Sequence, residues 1–400
     1  MVKILKWIID NYYLIFVFLG LWTFIGFREF QSFLLPLFVF VFLLVIANKS
    51  FKYISMDILI YVFIAYQLIS VFFSDYSVYI WYLGIKNQVI PILFYFIGRS
   101  VIFSDNNLIK NMKIPLLFAF ISALILYFWH PGWYIARKMA NLTSNVSDQA
   151  FYENTRLSGF WSWSYTMGYS SLFFLMYYFV DIFKEKVSRI TYLILAIALL
   201  VLFFAQQRAT IAYLFLYIAF LTVVGPKAYK KKLGKIWIFL IFAIIGVTVF
   251  ILNYSDQTYI DYVLNRTFNS DTNIVAERIE TFSSFWNVSL FGDGLARYGH
   301  DVLQFNMKSI TDCEYIRMMA ELGIVGCFIL FFIFYRTIKR GLEFRKNFFF
   351  EVNVILFYLV AMIGAAPFET LAMQPFLFWY CMGRIFNPNL LYNNQNFRTI

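Results

Sequence analysis

The chain has 400 residues, 62% of them hydrophobic and only 14% charged, whereas a soluble domain carries about 25% charged residues. This excludes a soluble enzyme and predicts an all-α integral membrane protein. The net charge of +11 sits in short loops between apolar runs, so the expected partners are anionic lipid head groups, with no nucleic acid. Three cysteines exclude a disulfide framework, since Cys327 and Cys381 fall within apolar runs and only Cys313 lies near a polar segment.

Taken in chain order, the apolar runs predict about twelve spans, each long enough for a ~30 Å hydrocarbon core. They run Asn11 to Phe27, Phe33 to Ala47, Asp57 to Phe73, Gln88 to Phe103, Ile114 to Trp129 and Phe160 to Phe183. Then come Ile190 to Ala205, Ala209 to Gly225, Ile236 to Asn253, Tyr315 to Tyr335, Glu351 to Ala365 and Phe368 to Phe386. The stretch Ile190 to Val224 would make a single helix ~50 Å long at ~1.5 Å per residue, too long for one crossing. Gln206-Gln207-Arg208 is expected to break it in two. The first span has no small-residue cleavage site and reads as a helix that stays.

The basic loops set the orientation. Lys3 and Lys6, Lys49 and Lys52, Lys110 and Lys113, Lys184 to Arg189, Lys227 to Lys235 and Arg336 to Lys346 all fall on one face of this alternation. That face is expected to be cytoplasmic, with both termini inside. One polytopic domain, residues 1–400, is predicted, with no repeat and no soluble module.

The longest polar stretch, Tyr254 to Arg317, then lies outside. Residues 254–314 form a candidate lid. Val275, Ile279, Phe282 and Trp286 recur at helical spacing and give Asp271 to Ser289 one apolar stripe. Leu290-Phe291-Gly292-Asp293-Gly294 reads as a tight turn. Thr311-Asp312-Cys313-Glu314 has the spacing of a capping box opening the next helix. Glu314, Arg317 and Glu321 follow at i, i+3 and i+7, a charged stripe on one helix face.

Few charges lie on the outer side. Arg156, Arg208, Arg278 and Lys86 each sit at a predicted membrane edge or on the lid. Guanidinium groups match phosphate oxygens two by two, so several converging would bind a diphosphate; each alone equally suits snorkelling to lipid phosphates. Asp312 and Glu314 are candidate acid/base groups for a sugar hydroxyl, or serve only the helix N-terminus. His300 is a candidate base or phosphate partner, or a solvated loop residue. No Cys/His cluster and no outer Asp-x-Asp pair is present, so no metal is expected. No glycine-rich phosphate loop follows a strand, which disfavours ATP.

Arg156-Leu-Ser-Gly before a span, Gln207-Arg208 at a hinge, Arg278 ahead of Leu290 to Gly294, and the run Tyr315 to Gly326 together resemble the O-antigen polymerase and O-antigen ligase superfamily. These are multispanning bacterial glycosyltransferases that use undecaprenyl-diphosphate-linked sugars on the periplasmic face. Ligases carry a His-Asn-x-x-Leu pattern where this chain has Asp312 and Cys313, so the resemblance favours the polymerase branch. It implies a metal-independent, inverting transfer without cofactor. Donor and acceptor would be undecaprenyl-diphosphate-linked oligosaccharides, and a chain-length regulator protein is a further implied partner. Arg156, Arg208 and Arg278 would hold the lipid diphosphates. A ligase acting on lipid A core and a lipid-linked oligosaccharide flippase stand as alternatives.

Overall fold

The computed structural model describes residues 51–73, 77–100, 112–134, 156–159, 164–179, 188–224, 289–299, 313–345, 347–365 and 373–388, with scattered positions between them. Its helices are α1 (Ser55–Ile69), α2 (Val78–Gly84), α3 (Ile90–Arg99), α4 (Lys113–Trp129), α5 (Ser164–Tyr178), α6 (Arg189–Phe204), α7 (Arg208–Val224), α8 (Glu314–Glu343), α9 (Phe349–Ala361) and α10 (Met373–Ile385). No strand occurs among the described residues. Among the described residues two helices are long and apolar enough to cross a membrane: Val78–Arg99, of 22 residues, and Glu314–Glu343, of 30. The expected span Asn11 to Phe27 and the amphipathic helix Asp271 to Ser289, except for Ser289 itself, lie outside the described residues.

The chain divides into two compact units, residues 1–116 with 282–400, and residues 117–281. In the second unit the long apolar run breaks where its length required. Helix α6 ends at Phe204, Gln206 takes a left-handed φ of 53°, and α7 starts at Arg208. Ser188 caps α6, its side chain accepting from the Ile190 N–H at 3.2 Å. The Ser171 hydroxyl donates to the Ala198 carbonyl and ties α5 to α6. Tyr217 Oη donates to the Met176 carbonyl at 2.7 Å and ties α7 to α5.

In the first unit, α2 and α3 form one continuous rod through a π-helical turn, Ile85–Val89. Pro91 stands at the start of α3 and offers no N–H, so the ladder widens to an i to i+5 bond, Ile90 N–H to Ile85 O, just before it. Contacts along the helices fix their directions. Arg336 near the end of α8 meets Ser55 at the start of α1, while Tyr66 near the end of α1 meets Leu322 near the start of α8. The two are antiparallel. The same reasoning sets α10 parallel to α3, with Phe376 on Phe94 and Gly383 beside Tyr95. A Cβ on Gly98 would strike the Tyr380 carbonyl, and one on Gly383 the Tyr95 carbonyl. Glycine at both positions lets these backbones approach as small residues do in membrane bundles.

This unit therefore has two chemically different ends. One gathers Lys52, Arg99, Arg336, Arg340 and Arg384 around the buried carboxylates Asp57 and Glu351. The other gathers the ends of α1 and α9, the starts of α8 and α10, the π-turn and the segment 289–299.

Candidate functional site

The candidate site is built where α8 begins and then breaks. Glu314 is the first residue of α8 and Cys313 its N-cap, with no side-chain cap bond. The N-cap expected at Thr311 thus lies at Cys313 instead, and Thr311 itself is outside the described residues. The Glu314 N–H is satisfied instead by the Met362 and Ala365 carbonyls past the end of α9, at 3.0 and 3.1 Å. Tertiary acceptors replace the local cap, which frees the Glu314 carboxylate for another role.

Further along α8, Gly323 leaves helical geometry at φ 65°, ψ −172°, a conformation open chiefly to glycine. The tight turn at Leu290 to Gly294 fits into this break. Asp293 and Gly294 donate their N–H groups to the Ala320 and Glu321 carbonyls at 2.9 and 3.1 Å. In return Ile324 and Val325 donate to the Ser289 and Leu290 carbonyls at 3.4 and 3.2 Å. The broken helix and the turn thus satisfy each other's orphaned backbone groups. Gly292 (φ 78°) lies directly on Gly323; a Cβ on either would strike the other's backbone. Tyr66 of α1 clamps the junction, its hydroxyl reaching the carbonyls of both Phe291 and Leu322. Ser70 Oγ accepts from the Leu295 N–H at 3.3 Å, and Leu295 covers Gly84 of α2.

Beneath the junction lies the charged stripe, fully buried. Arg317 pairs with Glu314 through one terminal nitrogen and with Glu321 through the other, the latter at 3.1 Å. Glu321 also accepts from Gln88 Nε2 at 2.8 Å and from the Tyr298 N–H at 3.0 Å. Two carboxylates thus face one guanidinium. Beside them is a cavity of about 20 Å³, lined by Gln67, Gln88, Glu314, Arg317, Phe368 and Trp379 among others. That is room for roughly one water molecule and none for a sugar. Toward the outside, the Tyr298 hydroxyl donates to the exposed Asp293 carboxylate. Desolvation, and then this bond, push the Tyr298 phenol up to about 12.

Of the residues singled out in the sequence, Glu314 lies at the centre of this cluster. It holds Arg317 in an enclosed space. Lys86 is half-buried on the π-turn, two residues before Gln88. Arg156 and Arg208 belong to the second unit. The Leu157 N–H donates to the Phe204 carbonyl at 3.0 Å, and Gln207 Nε2 to Ser164 Oγ at 3.1 Å. The Arg156 segment therefore meets the α6–α7 hinge that carries Arg208. Arg156 is half-buried there and Arg208 exposed. Asp312, His300 and Arg278 lie outside the described residues. The i, i+3, i+7 stripe was visible in the sequence; Gln67, Gln88 and Tyr298 carried no signal, because their partners lie far away in the chain. No group of three or more His, Cys, Asp or Glu able to hold a metal occurs among the described residues. No protein-family model matches the chain, and no curated protein is similar to it.

Proposed function

We propose that this protein is a polysaccharide repeat-unit polymerase, a multi-pass protein of a bacterial inner membrane with about twelve spans and both termini cytoplasmic. The growing glycan on undecaprenyl diphosphate is the donor, and one lipid-linked repeat unit is the acceptor. The acceptor's terminal hydroxyl attacks the donor's anomeric carbon with inversion. The C–O bond to the lipid diphosphate breaks, and the diphosphate leaves with the bonding pair. Arg156, Arg208 and Arg278 stabilise the charge developing on it. Asp312 accepts the hydroxyl proton, with His300 as the second candidate base.

The observation that carries this reading is the interlock of Leu290 to Gly294 with the break at Gly323. The two segments that carry the superfamily resemblance in the second half of the chain meet in space and fix each other. Such a junction supplies a rigid floor for a reaction on the water side of the membrane. Glu314, the first residue of α8, is pinned there by two carbonyls. The gathering of Lys52, Arg336 and Arg340 at the opposite end of the unit agrees with a cytoplasmic placement of that end.

Purified protein in nanodiscs, supplied only with lipid-linked repeat units, should yield a ladder of longer lipid-linked glycans. Asp312→Asn should abolish the ladder. No products longer than the input from intact, folded protein would end the polymerase reading. In cells, Arg208→Ala should leave lipid-linked units in the periplasmic leaflet without polymer; units stranded in the cytoplasmic leaflet would point to a flippase instead.

A further inference from the structure

Two stripes of residues run beside the seam between α1 and α8. On α1, Ser55, Ile58 and Val62 recur at i, i+3 and i+7, and all three are exposed. On α8, Arg336, Phe332 and Phe328 recur at intervals of four, Arg336 half-buried and the two phenylalanines exposed. The helices are antiparallel, and Arg336 Nη2 donates to Ser55 Oγ at 2.9 Å. Both stripes therefore start with a polar residue at the basic end and turn apolar from there. Ile58 is 60% and Phe328 73% exposed. A surface that is polar at one end and apolar along its length matches a lipid, head group first.

The head end of this surface carries unpaired positive charge. Arg99 and Arg384 have their own carboxylates, Asp57 and Glu351. Neither Arg336 nor Arg340 has a carboxylate at ion-pair distance among the described residues. Arg99 and Arg336 act on Arg340 as like charges, and the opposite charge of Glu343 is exposed and screened by solvent. Arg340 is also held in place from behind. Its Nε donates to the Ile385 carbonyl at 3.2 Å, and its Cζ lies 5.7 and 5.1 Å from the Phe344 and Phe386 ring centres. These contacts fix the plane of the fork and leave its two terminal nitrogens for another acceptor. Arg336 and Arg340, four residues apart, are neighbours on one helix face. Guanidinium groups side by side match the oxygens of a phosphate.

We propose that this surface binds an anionic phospholipid. Arg336 and Arg340 hold the head-group phosphate, and the Ser55 hydroxyl adds a neutral contact. The acyl chains lie along Ile58 and Val62 on one side and Phe332 and Phe328 on the other. A zwitterionic lipid would bring its own cation against Arg99 and Arg340, which repel it; an anionic lipid brings the missing charge alone. A soluble phosphate would use the arginines but neither apolar stripe. The site requires α8 to stand in a membrane and nothing of the transferase chemistry.

Native mass spectrometry of the protein in a non-ionic detergent, titrated with phosphatidylglycerol or with phosphatidylcholine of the same chains, tests it. Phosphatidylglycerol should bind more tightly. Arg336→Gln and Arg340→Gln should each weaken it about fivefold, the size expected per basic residue near an anionic lipid, and leave phosphatidylcholine unchanged. Arg189→Gln, which removes an exposed arginine at the start of α6, should alter neither affinity. Ser55→Glu keeps both arginines but sets a carboxylate beside Arg336, in the first turn of a helix where an acid is favourable. It should also weaken phosphatidylglycerol, and it decides the matter should the arginine variants fail to fold. Equal affinity for the two lipids, an equal loss in Arg189→Gln, or unchanged phosphatidylglycerol binding in the folded variants would overturn the proposal. Displacement of the lipid by millimolar glycerol phosphate would overturn it too, as the mark of a site for soluble phosphates.

Discussion

The two ends of the first unit bury charge by different rules. At the basic end each buried carboxylate has its own arginine. Asp57 lies 3.5 Å from Arg99 and Glu351 2.7 Å from Arg384. Asp57 also accepts from the Tyr95 hydroxyl at 2.9 Å and the Ile54 N–H at 2.8 Å. Of the arginines left over there, Arg340 is turned to the Ile385 carbonyl and Arg336 to the Ser55 hydroxyl. At the other end two carboxyls share one arginine, acceptors are left unmatched, and a helix is broken to admit a turn. The first pattern serves to hold helices together. The second departs from that economy in charge, hydrogen bonding and backbone geometry at once, and such coincident departures mark functional or strained sites. The contrast is what makes the α8 junction, and not the more heavily charged basic end, the place to look for chemistry.

The contrast can be broken most severely at its backbone. Gly323→Val places a branched side chain at a left-handed φ, a strain of about 1–3 kcal/mol by itself, and drives it into the Gly292 backbone. Little folded protein should reach the membrane fraction. Gly132→Ala, where a Cβ meets open space, should accumulate normally and unfold at or slightly above the wild-type temperature. Equal behaviour of the two variants would remove the interlock from the account.

Next in size are the cations. Arg317→Met strands two buried carboxyls, and breaking a buried pair costs about 3–5 kcal/mol. Arg384→Met strands only Glu351 and should fall at the lower end of that range. Adding Glu321→Gln to Arg317→Met should recover part of the loss, because it removes one of the two stranded carboxyls. Thermal unfolding in detergent, read on all three, checks the order.

The anions sharpen the comparison further. Glu351→Gln leaves Arg384 buried without its carboxylate and should again cost about 3–5 kcal/mol. Glu314→Gln should cost less, about 1 kcal/mol, since Arg317 keeps Glu321 as its ionic partner. Similar losses for the two glutamates would mean that both ends are built alike.

How far this was legible in the sequence depends on the range of the interactions. The break at Gln206 to Arg208 was visible because the apolar run exceeded what one crossing can use. The Glu314, Arg317, Glu321 stripe was visible because helical spacing alone puts these residues on one face. The start of α8 was placed at Thr311 from local spacing, whereas Cys313 is its N-cap and carbonyls past the end of α9 take the Glu314 N–H. The partnership of Gly292 with Gly323 was hidden for the same reason. Each glycine is explained locally by a turn or a helix boundary, and only the folded chain shows that each needs the other. Gln67 and Gln88 were hidden because a glutamine's place in the chain does not name its distant neighbour, as Glu321 is for Gln88.

The mildest test lies at the outer rim of the junction, where Tyr298 links exposed Asp293 to buried Glu321. Tyr298→Phe removes the phenol–carboxylate bond but keeps the backbone bond to Glu321. The loss should be about 0.5–1.5 kcal/mol at most, lowered further by the solvent around Asp293. The phenol's titration is the sharper readout. Its folded value is raised to about 12 from an ordinary 10.0, so the folded form holds the proton more tightly than the unfolded chain does. The resulting stabilisation is complete below the unfolded value and is lost as pH rises through the folded one. In ultraviolet difference titrations, Asp293→Asn should bring the Tyr298 transition to lower pH, though desolvation, the larger cause, should keep it above that of a free tyrosine. If Asp293→Asn leaves the transition unmoved, the contact with Asp293 contributes nothing, and the junction ends at Glu321.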